Sequence, residues 1–416
     1  MDEMRTGDRE EQKRFLRAGM IRGGQAPEEN TPYEKRLAGY EAARRRRRRM
    51  IGIAVCVVLV IGLIIFFVLR GRQKHYEGLA EKWTQALPAE SVQRVLPFGA
   101  GFLRCGRNSC ACVDTAGEVV WTEGYEMNHP QTAVCGEYAA IADLGGNSLV
   151  IVNADGKQGE VTTALPITGV TIAGQGMAVL ILEDETANYL AFYDRTGKKL
   201  DIEIRSMLTG DGYPFTAALS PSGSQLMVSF VCVRDGEVCN KVIFYNFDVG
   251  RDMVDNIVGG FEQYEGMMVP RVTYLDEERA VAFADACIGF YSLRHQSSPA
   301  LIKDEPVEQH ILAVFPGEGK SGVVTEKSAT ESTVRVYDRD GGVTAEFDVD
   351  AAFTGFAFAG SRILAWHDGL LVIYDTSGRE VARHIPAERL VSVVPSPSEN
   401  EYFLFLETRL QYMQLQ

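Results

Sequence analysis

The stretch LAFYDRTGKKL at residues 190–200 decides the fold. Its apolar run predicts a half-buried β-strand. Asp194 can accept a hydrogen bond from its own backbone two residues on, and Gly197 tolerates the positive φ that a tight turn requires. The segment therefore predicts a strand, a tight turn and a departing second strand.

The same phrase recurs along the chain. Copies begin at Cys110, Leu149, Val242, Val334 and Leu371, and a degenerate copy begins at Ile288. Two further strands precede each copy, so each unit holds about four strands in about 40 residues, the period of a propeller blade. The turn positions are separated by 39, 41, 52, 46, 46 and 37 residues, and they are Asp114, Asn153, Asp194, Asn246, Ser292, Asp338 and Asp375.

The blade count follows from these units. Seven anchored repeats are followed by RLVSVVPSPSE, NEYFLFLET and RLQYMQL (389–415), an eighth unit that lacks its outer strand. The stretch before Phe98 can supply that strand and close the ring, which removes exposed sheet edges. We predict an all-β fold, a β-propeller of eight four-stranded blades, with seven blades as the alternative.

Two motifs resemble known propellers. SPSGSQLMV (220–228) resembles the start of a WD40-type blade, and VDTAGEVVW (113–121) resembles the end of a quinoprotein (PQQ-like) blade. The layout of residues 85–416 resembles uncharacterised membrane-anchored propeller proteins of clostridia-like Gram-positive bacteria. The Trp-Asp dipeptide of WD40 repeats is absent, and the closing tryptophan occurs once, at Trp121. The resemblance implies the fold and no inherited chemistry.

Residues 50–69, MIGIAVCVVLVIGLIIFFVL, contain no charge over twenty positions. A helix of that length spans a hydrocarbon core of about 30 Å. The leader before it is longer than a signal peptide's, and no small-residue cleavage site follows closely. We predict one transmembrane helix that acts as an uncleaved signal anchor.

The flanking charges predict its orientation. Eight basic residues lie in positions 35–49, against four in positions 70–84. This bias places the N-terminus in the cytosol and residues 85–416 outside the plasma membrane, with residues 1–49 as a partly disordered basic tail and 70–84 as a linker. The run expected to set topology and contact lipid headgroups, or alternatively to dock a cytosolic partner, is Arg44, Arg45, Arg46, Arg47, Arg48 and Arg49.

The outer part is strongly acidic. Residues 71–416 hold 27 Lys/Arg and 47 Asp/Glu, a net charge of -20. Such a surface repels a phosphate backbone, so we predict no nucleic-acid partner.

Two cysteine pairs are disulfide candidates. Asp235-Gly236 predicts a two-residue hairpin turn, and counting back from it places Cys232 opposite Cys239. Cys105 and Cys110 flank a four-residue turn and are expected to pair in the same way. The alternative is that these are small buried thiols.

No catalytic, metal or cofactor constellation appears in the sequence. The six histidines are scattered and no H-E-x-x-H, G-x-S-x-G or P-loop motif occurs. The leading hypothesis is a membrane-tethered module that binds a protein or a cell-envelope component through its loops. The alternatives are an enzyme or cofactor-binding propeller with its site in the central channel, and a ligand sensor that signals through the cytosolic tail.

Overall fold

The computed structural model describes residues 50–52, 55–63, 76, 78–87, 94–234, 236–248 and 254–416. The chain divides into two compact units, Met1–His75 and Tyr76–Gln416. In the first unit, residues 50–52 and 55–63 are helical. Within these described ranges, no helix combines the length and apolar character needed to cross a membrane. The remainder of the predicted span and the run Arg44–Arg49 lie outside the described residues.

The second unit is a β-propeller. It contains eight four-stranded antiparallel sheets, which confirms the prediction of eight blades and excludes seven. In each of blades 1 to 7, four consecutive strands A to D run from the inside of the ring to its periphery.

The first four blades follow one another along the chain. Blade 1 comprises β2 (Arg94–Phe98), β3 (Gly101–Cys105), β4 (Ser109–Val113) and β5 (Val119–Gly124). Blade 2 comprises β6 (Pro130–Cys135), β7 (Tyr138–Asp143), β8 (Ser148–Asn153) and β9 (Gly156–Thr162). Blade 3 comprises β10 (Ile167–Ile172), β11 (Ala178–Glu183), β12 (Ala187–Tyr193) and β13 (Lys199–Met207). Blade 4 comprises β14 (Tyr213–Leu219), β15 (Gln225–Arg234), β16 (Glu237–Asn246) and β17 (Ile257–Glu265).

The last four blades repeat the pattern. Blade 5 comprises β18 (Arg271–Asp276), β19 (Arg279–Phe283), β20 (Cys287–Ser292) and β21 (Ala300–Pro306). Blade 6 comprises β22 (Ile311–Gly317), β23 (Lys320–Glu326), β24 (Glu331–Asp338) and β25 (Val343–Asp350). Blade 7 comprises β26 (Gly355–Ala359), β27 (Arg362–His367), β28 (Leu370–Asp375) and β29 (Glu380–His384). Blade 8 comprises β30 (Leu390–Pro395), β31 (Glu401–Leu406), β32 (Arg409–Leu415) and β1 (Leu79–Ala86).

Blade 8 closes the ring with the first strand of the chain. β1 pairs antiparallel with β32, with Leu79 opposite Leu415. The missing outer strand therefore comes from the stretch before Phe98, as the sequence predicted. Residues 79–84, assigned to the linker from sequence, belong to this strand. Its polar residues and five exposed positions give a weak strand signal in the sequence, because an outer strand has only one covered edge.

Two faces follow from this topology. The inner strands all run in one direction, so the connections alternate between the ends of the ring. We call the end where the inner strands begin the front face; it carries the D-to-A and B-to-C connections. The back face carries the A-to-B and C-to-D turns.

Apolar side chains from neighbouring blades fill the spaces between the sheets. Between blades 3 and 4, for example, Ile181, Phe192 and Phe230 belong to one buried cluster. A fully buried side chain of this size stabilises the fold by about 1.5–3 kcal/mol. The middle strands are covered on both faces, and for that reason they read as nearly continuous apolar runs in the sequence.

Candidate functional site

The six Asp and Asn turn positions all cap the turn between the third and fourth strand of a blade. Their side-chain oxygens accept a hydrogen bond from the backbone N–H two residues on, at 2.8 to 2.9 Å. These positions are Asp114, Asn153, Asp194, Asn246, Asp338 and Asp375. The structure distributes them around the back face, one per blade in six blades, and does not bring them together into one site.

These turns join neighbouring blades. Trp121 Nε1 in blade 1 donates a hydrogen bond to the carbonyl oxygen of Ala154, in the turn of blade 2, at 2.9 Å. Lys303 Nζ in blade 5 donates to the carbonyl oxygen of Gly341, in the turn of blade 6, at 2.9 Å. At these two turns the repeated sequence phrase contributes to contacts between neighbouring blades, and we look for the candidate binding surface elsewhere.

Blade 4 differs from the others at the front face. Its middle strands β15 and β16 each have 10 residues, against 5 to 8 in the middle strands of the other blades. The inner strand pairs with β15 only as far as Val231, and the outer strand pairs with β16 only as far as Cys239. Residues 232–234 and 236–238, which we call the blade-4 tip, therefore extend past the last ladder pairs of the flanking strands. Two residue pairs, Val233 with Val238 and Arg234 with Glu237, correspond to a projection of roughly 7 Å.

A disulfide braces the blade-4 tip. Cys232 lies opposite Cys239 in the β15–β16 register, and the two are joined with a Cα–Cα distance of 5.1 Å. Counting residue pairs back from the Asp235-Gly236 turn predicted the same register from the sequence. Gly212, in the loop from blade 3, has a φ of +93°, and a Cβ there would lie 2.6 Å from the carbonyl oxygen of Val231. The loop thus packs closely against the base of the tip.

The tip presents apolar side chains to water. Val233 and Val238 form a directly opposed pair, and their exposed fractions are 72% and 40%. Arg234 lies next to them and pairs weakly with Glu262 at 3.8 Å. Neighbouring exposed apolar side chains on a braced projection form a candidate contact surface. Sequence reasoning found the hairpin and its cysteines but not the exposure of the two valines.

The second cysteine pair differs from expectation. Cys105 and Cys110 face each other across the β3–β4 hairpin, but both are free thiols. Both side chains are buried in the cluster between blades 1 and 2. A hydrogen bond from Cys110 and, to a smaller extent, one from Thr132 lower the pKa of the Cys105 thiol. The expected disulfide is therefore replaced in this structure by a hydrogen-bonded thiol pair inside the core.

A cavity of about 510 Å³ lies at the back face, where blade 8 meets blade 1. Its walls include Trp83, Tyr412 and the ion pair between Lys82 and Glu401, whose N···O distance is 2.6 Å. Trp83 and Tyr412 are in mutual ring contact, with centroids 5.5 Å apart. These side chains hold the seam of the ring together, so we assign the cavity to the closure of the propeller.

The fold and the projecting hairpin define the class of protein: an eight-bladed β-propeller whose fourth blade carries a disulfide-braced tip. The chain belongs to a family of unknown function, DUF5711, which matches residues 72–415. No curated protein matches the chain.

Solved propellers share the architecture. BamB from Moraxella catarrhalis is similar with a TM-score of 0.51 at 12% identity, covering 81% of this chain and 100% of that one. A eukaryotic initiation factor gives a TM-score of 0.49 at 12% identity, covering 77% and 83%. Sqt1 from Chaetomium thermophilum gives 0.49 at 12% identity, covering 74% and 89%. In all, 829 solved chains match, so the likeness establishes the fold and does not point to one activity.

Proposed function

We propose that this protein is a membrane-tethered, extracytoplasmic β-propeller that binds a protein partner through the blade-4 tip. The observation that carries the proposal is the exposed pair Val233 and Val238 on a hairpin closed by the Cys232–Cys239 disulfide. A braced hairpin loses little conformational entropy on binding, so apolar contacts at its end contribute more of their free energy to affinity.

The location of the tip supports this role. β1 begins at the back face, because Leu79 pairs with Leu415 at the end of β32. The chain therefore enters the propeller at the back face, and the tip lies at the opposite end. A surface remote from the point of attachment is free to meet a partner.

The tether is proposed from sequence. Residues 50–69 carry no charge, and the run from Arg44 to Arg49 precedes them. An apolar segment of this length with a basic N-terminal flank favours a single span with the propeller outside the plasma membrane. The resemblance to membrane-anchored propellers of clostridia-like Gram-positive bacteria agrees with this arrangement. The membrane tether itself stays a prediction.

Site-specific photo-crosslinking tests the tip. The full-length chain is expressed in its native cells with a photoreactive amino acid replacing Val233, and a second strain carries it in place of Val343. Val343 is a suitable control because it is also exposed, at 47%, but lies on the outer strand of blade 6. We expect one discrete adduct from position 233 that Val238→Glu removes. Adducts of equal yield at both positions, or none at position 233, would refute the tip as the binding surface.

The tether is tested separately. Alkaline carbonate should leave the full-length chain in the membrane pellet, and Val58→Asp combined with Ile61→Asp should release it. Protease is added to intact cells from which the cell wall has been removed. It should digest the propeller and leave a tag at the cytosolic N-terminus intact. A wild-type chain that alkaline carbonate extracts, or a tag digested together with the propeller, would contradict the arrangement.

A further inference from the structure

Two arginines occupy equivalent places on opposite sides of the ring. Arg94 is the first residue of β2, the inner strand of blade 1, and Arg271 is the first residue of β18, the inner strand of blade 5. Blades 1 and 5 lie diametrically opposite in a ring of eight. Both residues therefore stand at the front end of the central channel, and both are solvent-exposed.

Within the described part of the chain, neither guanidinium is paired with an acidic side chain. Among the described residues, no carboxylate forms an ion pair with Arg94 or Arg271, although residues 71–416 carry a net charge of -20. The Nη1 atom of Arg271 donates to the carbonyl oxygen of Val314 at 3.1 Å, and no second acceptor for its guanidinium lies among the described residues. By contrast, Arg279 in the same blade bonds the carboxylate of Asp340 at 2.5 Å.

The two charges also act on each other. Desolvation of the Arg271 guanidinium, and to a smaller extent repulsion from Arg94, lowers the pKa of Arg271. The sign means that the Arg271 cation is less stable in the presence of Arg94. Like charges held near each other repel, and an anion placed between them offsets that repulsion.

Apolar side chains surround the same end of the channel. Four inner strands carry a β-bulge near their first residues, and in three of them the unpaired residue is apolar and exposed. A bulge turns a side chain out of the ladder, and bulges occur frequently next to binding sites. The apolar bulged residues are Phe215 in blade 4, Leu312 in blade 6 and Val391 in blade 8, with exposed fractions of 41%, 49% and 56%. We call Arg94, Arg271 and these three residues the channel mouth.

We propose that the channel mouth is a binding site for an oxyanion, a phosphate or carboxylate group held between the guanidinium groups of Arg94 and Arg271. A guanidinium group offers parallel N–H donors that match both oxyanions in a bidentate geometry. The apolar bulge residues fit the carbon skeleton of the same ligand. This site is distinct from the blade-4 tip, so the proposal does not depend on the protein partner.

Binding of inorganic phosphate and citrate to the purified full-length chain tests the proposal. Calorimetry and thermal unfolding are measured at low ionic strength for the wild type, Arg94→Gln, Arg271→Gln and the double variant. Arg205→Gln is the matched control, because Arg205 lies on the outer strand of blade 3 and its removal changes the net charge equally. Comparing the two probes separates a phosphate-bearing from a carboxylate-bearing ligand.

We expect at least one probe to bind and to raise the Tm of the wild type. Each single variant should bind at least tenfold more weakly, and the double variant should not bind. Without a probe, Arg271→Gln should unfold at the same Tm as the wild type or at a higher one. Absence of binding by both probes, equal weakening by Arg205→Gln, or a large loss of Tm in the probe-free Arg271→Gln variant would overturn the proposal.

Discussion

The indole Nε1 of Trp83 donates a hydrogen bond to the carbonyl oxygen of Thr115, with an N···O distance of 3.2 Å. Trp83 lies on β1, the outer strand of blade 8, and Thr115 lies in a turn of blade 1. The bond therefore joins the last blade to the first. Gly117 in that turn has a φ of +86°, and a Cβ there would lie 2.9 Å from the indole ring. The turn and the indole ring are in close contact along the seam.

Trp83→Ala should weaken the closure of the ring. The variant loses the hydrogen bond and the ring contacts with Tyr412 and Phe403, so we expect a loss of about 3 kcal/mol in the free energy of unfolding. Trp83→Phe should lose about 1 kcal/mol, because it removes the N–H donor and keeps most of the packing. Urea denaturation of the full-length chain measures both.

Trp121→Ala provides the control for this experiment, since Trp121 makes the equivalent bond between blades 1 and 2 but does not hold the seam. Limited proteolysis should cut within residues 79–86 faster in Trp83→Ala than in Trp121→Ala. Equal cutting in the two variants would show that Trp83 does not retain β1.

Arg279→Leu should strongly destabilise the contact between blades 5 and 6. The Arg279 side chain is buried and donates to Asp340, to Ser292 Oγ at 3.2 Å and to the carbonyl oxygen of Glu278 at 2.9 Å. Because the Asp340 side chain is 53% exposed, its charge stays solvated in the variant, and the loss of the charge-assisted hydrogen bonds should lower the free energy of unfolding by about 1.5–3 kcal/mol. Arg279→Lys should lose less, because it keeps the charge. Similar stability of the wild type and Arg279→Leu would contradict this.

The same pair predicts a dependence on pH. The hydrogen bond from Arg279 lowers the pKa of Asp340 in the folded protein. The stabilisation is therefore complete above the unfolded-state pKa of about 3.9 and is lost as the pH falls through the lower folded-state pKa. Asp340→Asn should flatten the decline in the urea midpoint between pH 5 and pH 3. An unchanged slope in that variant would show that Asp340 does not contribute to acid sensitivity.

The disulfide at the blade-4 tip should stabilise the folded protein. Cys232 and Cys239 enclose a short loop, for which loop-closure entropy predicts about 2 kcal/mol. Replacing both with serine should lower the free energy of unfolding by that amount. A reducing agent should have the same effect on the wild type and none on the double variant. A reductant that leaves the wild type unchanged would mean that the bridge does not contribute to stability.

Cys105 and Cys110 should behave as protected thiols. Their exposed fractions are 2% and 0%, so N-ethylmaleimide should modify them slowly in the native protein and completely in guanidinium chloride. Peptide mass spectrometry without reduction checks this. Recovery of a bridged peptide containing both residues would instead restore the pairing expected from sequence. Cys135, a free cysteine that is partly exposed, serves as the internal control for reagent access.

The candidate surfaces were only partly predictable. The register of Cys232 and Cys239 was readable because Asp235-Gly236 determines the pairing of the residues around it. The exposure of Val233 and Val238 was not, because it depends on where the flanking strands stop. Arg94 and Arg271 gave no signal in the sequence, because a single arginine at the start of a strand is common.

The sequence by itself determined the blades. Each blade is a run of four consecutive strands, so its apolar runs, turn residues and spacing are all local, and seven copies of the phrase established the repeat. Only the tertiary structure decided what depends on distant parts of the chain. β1 completes blade 8 by pairing Leu79 with Leu415, and the ring places Arg94 opposite Arg271. Contacts of that kind arise when the ring closes, and closure brings together residues that no local pattern connects.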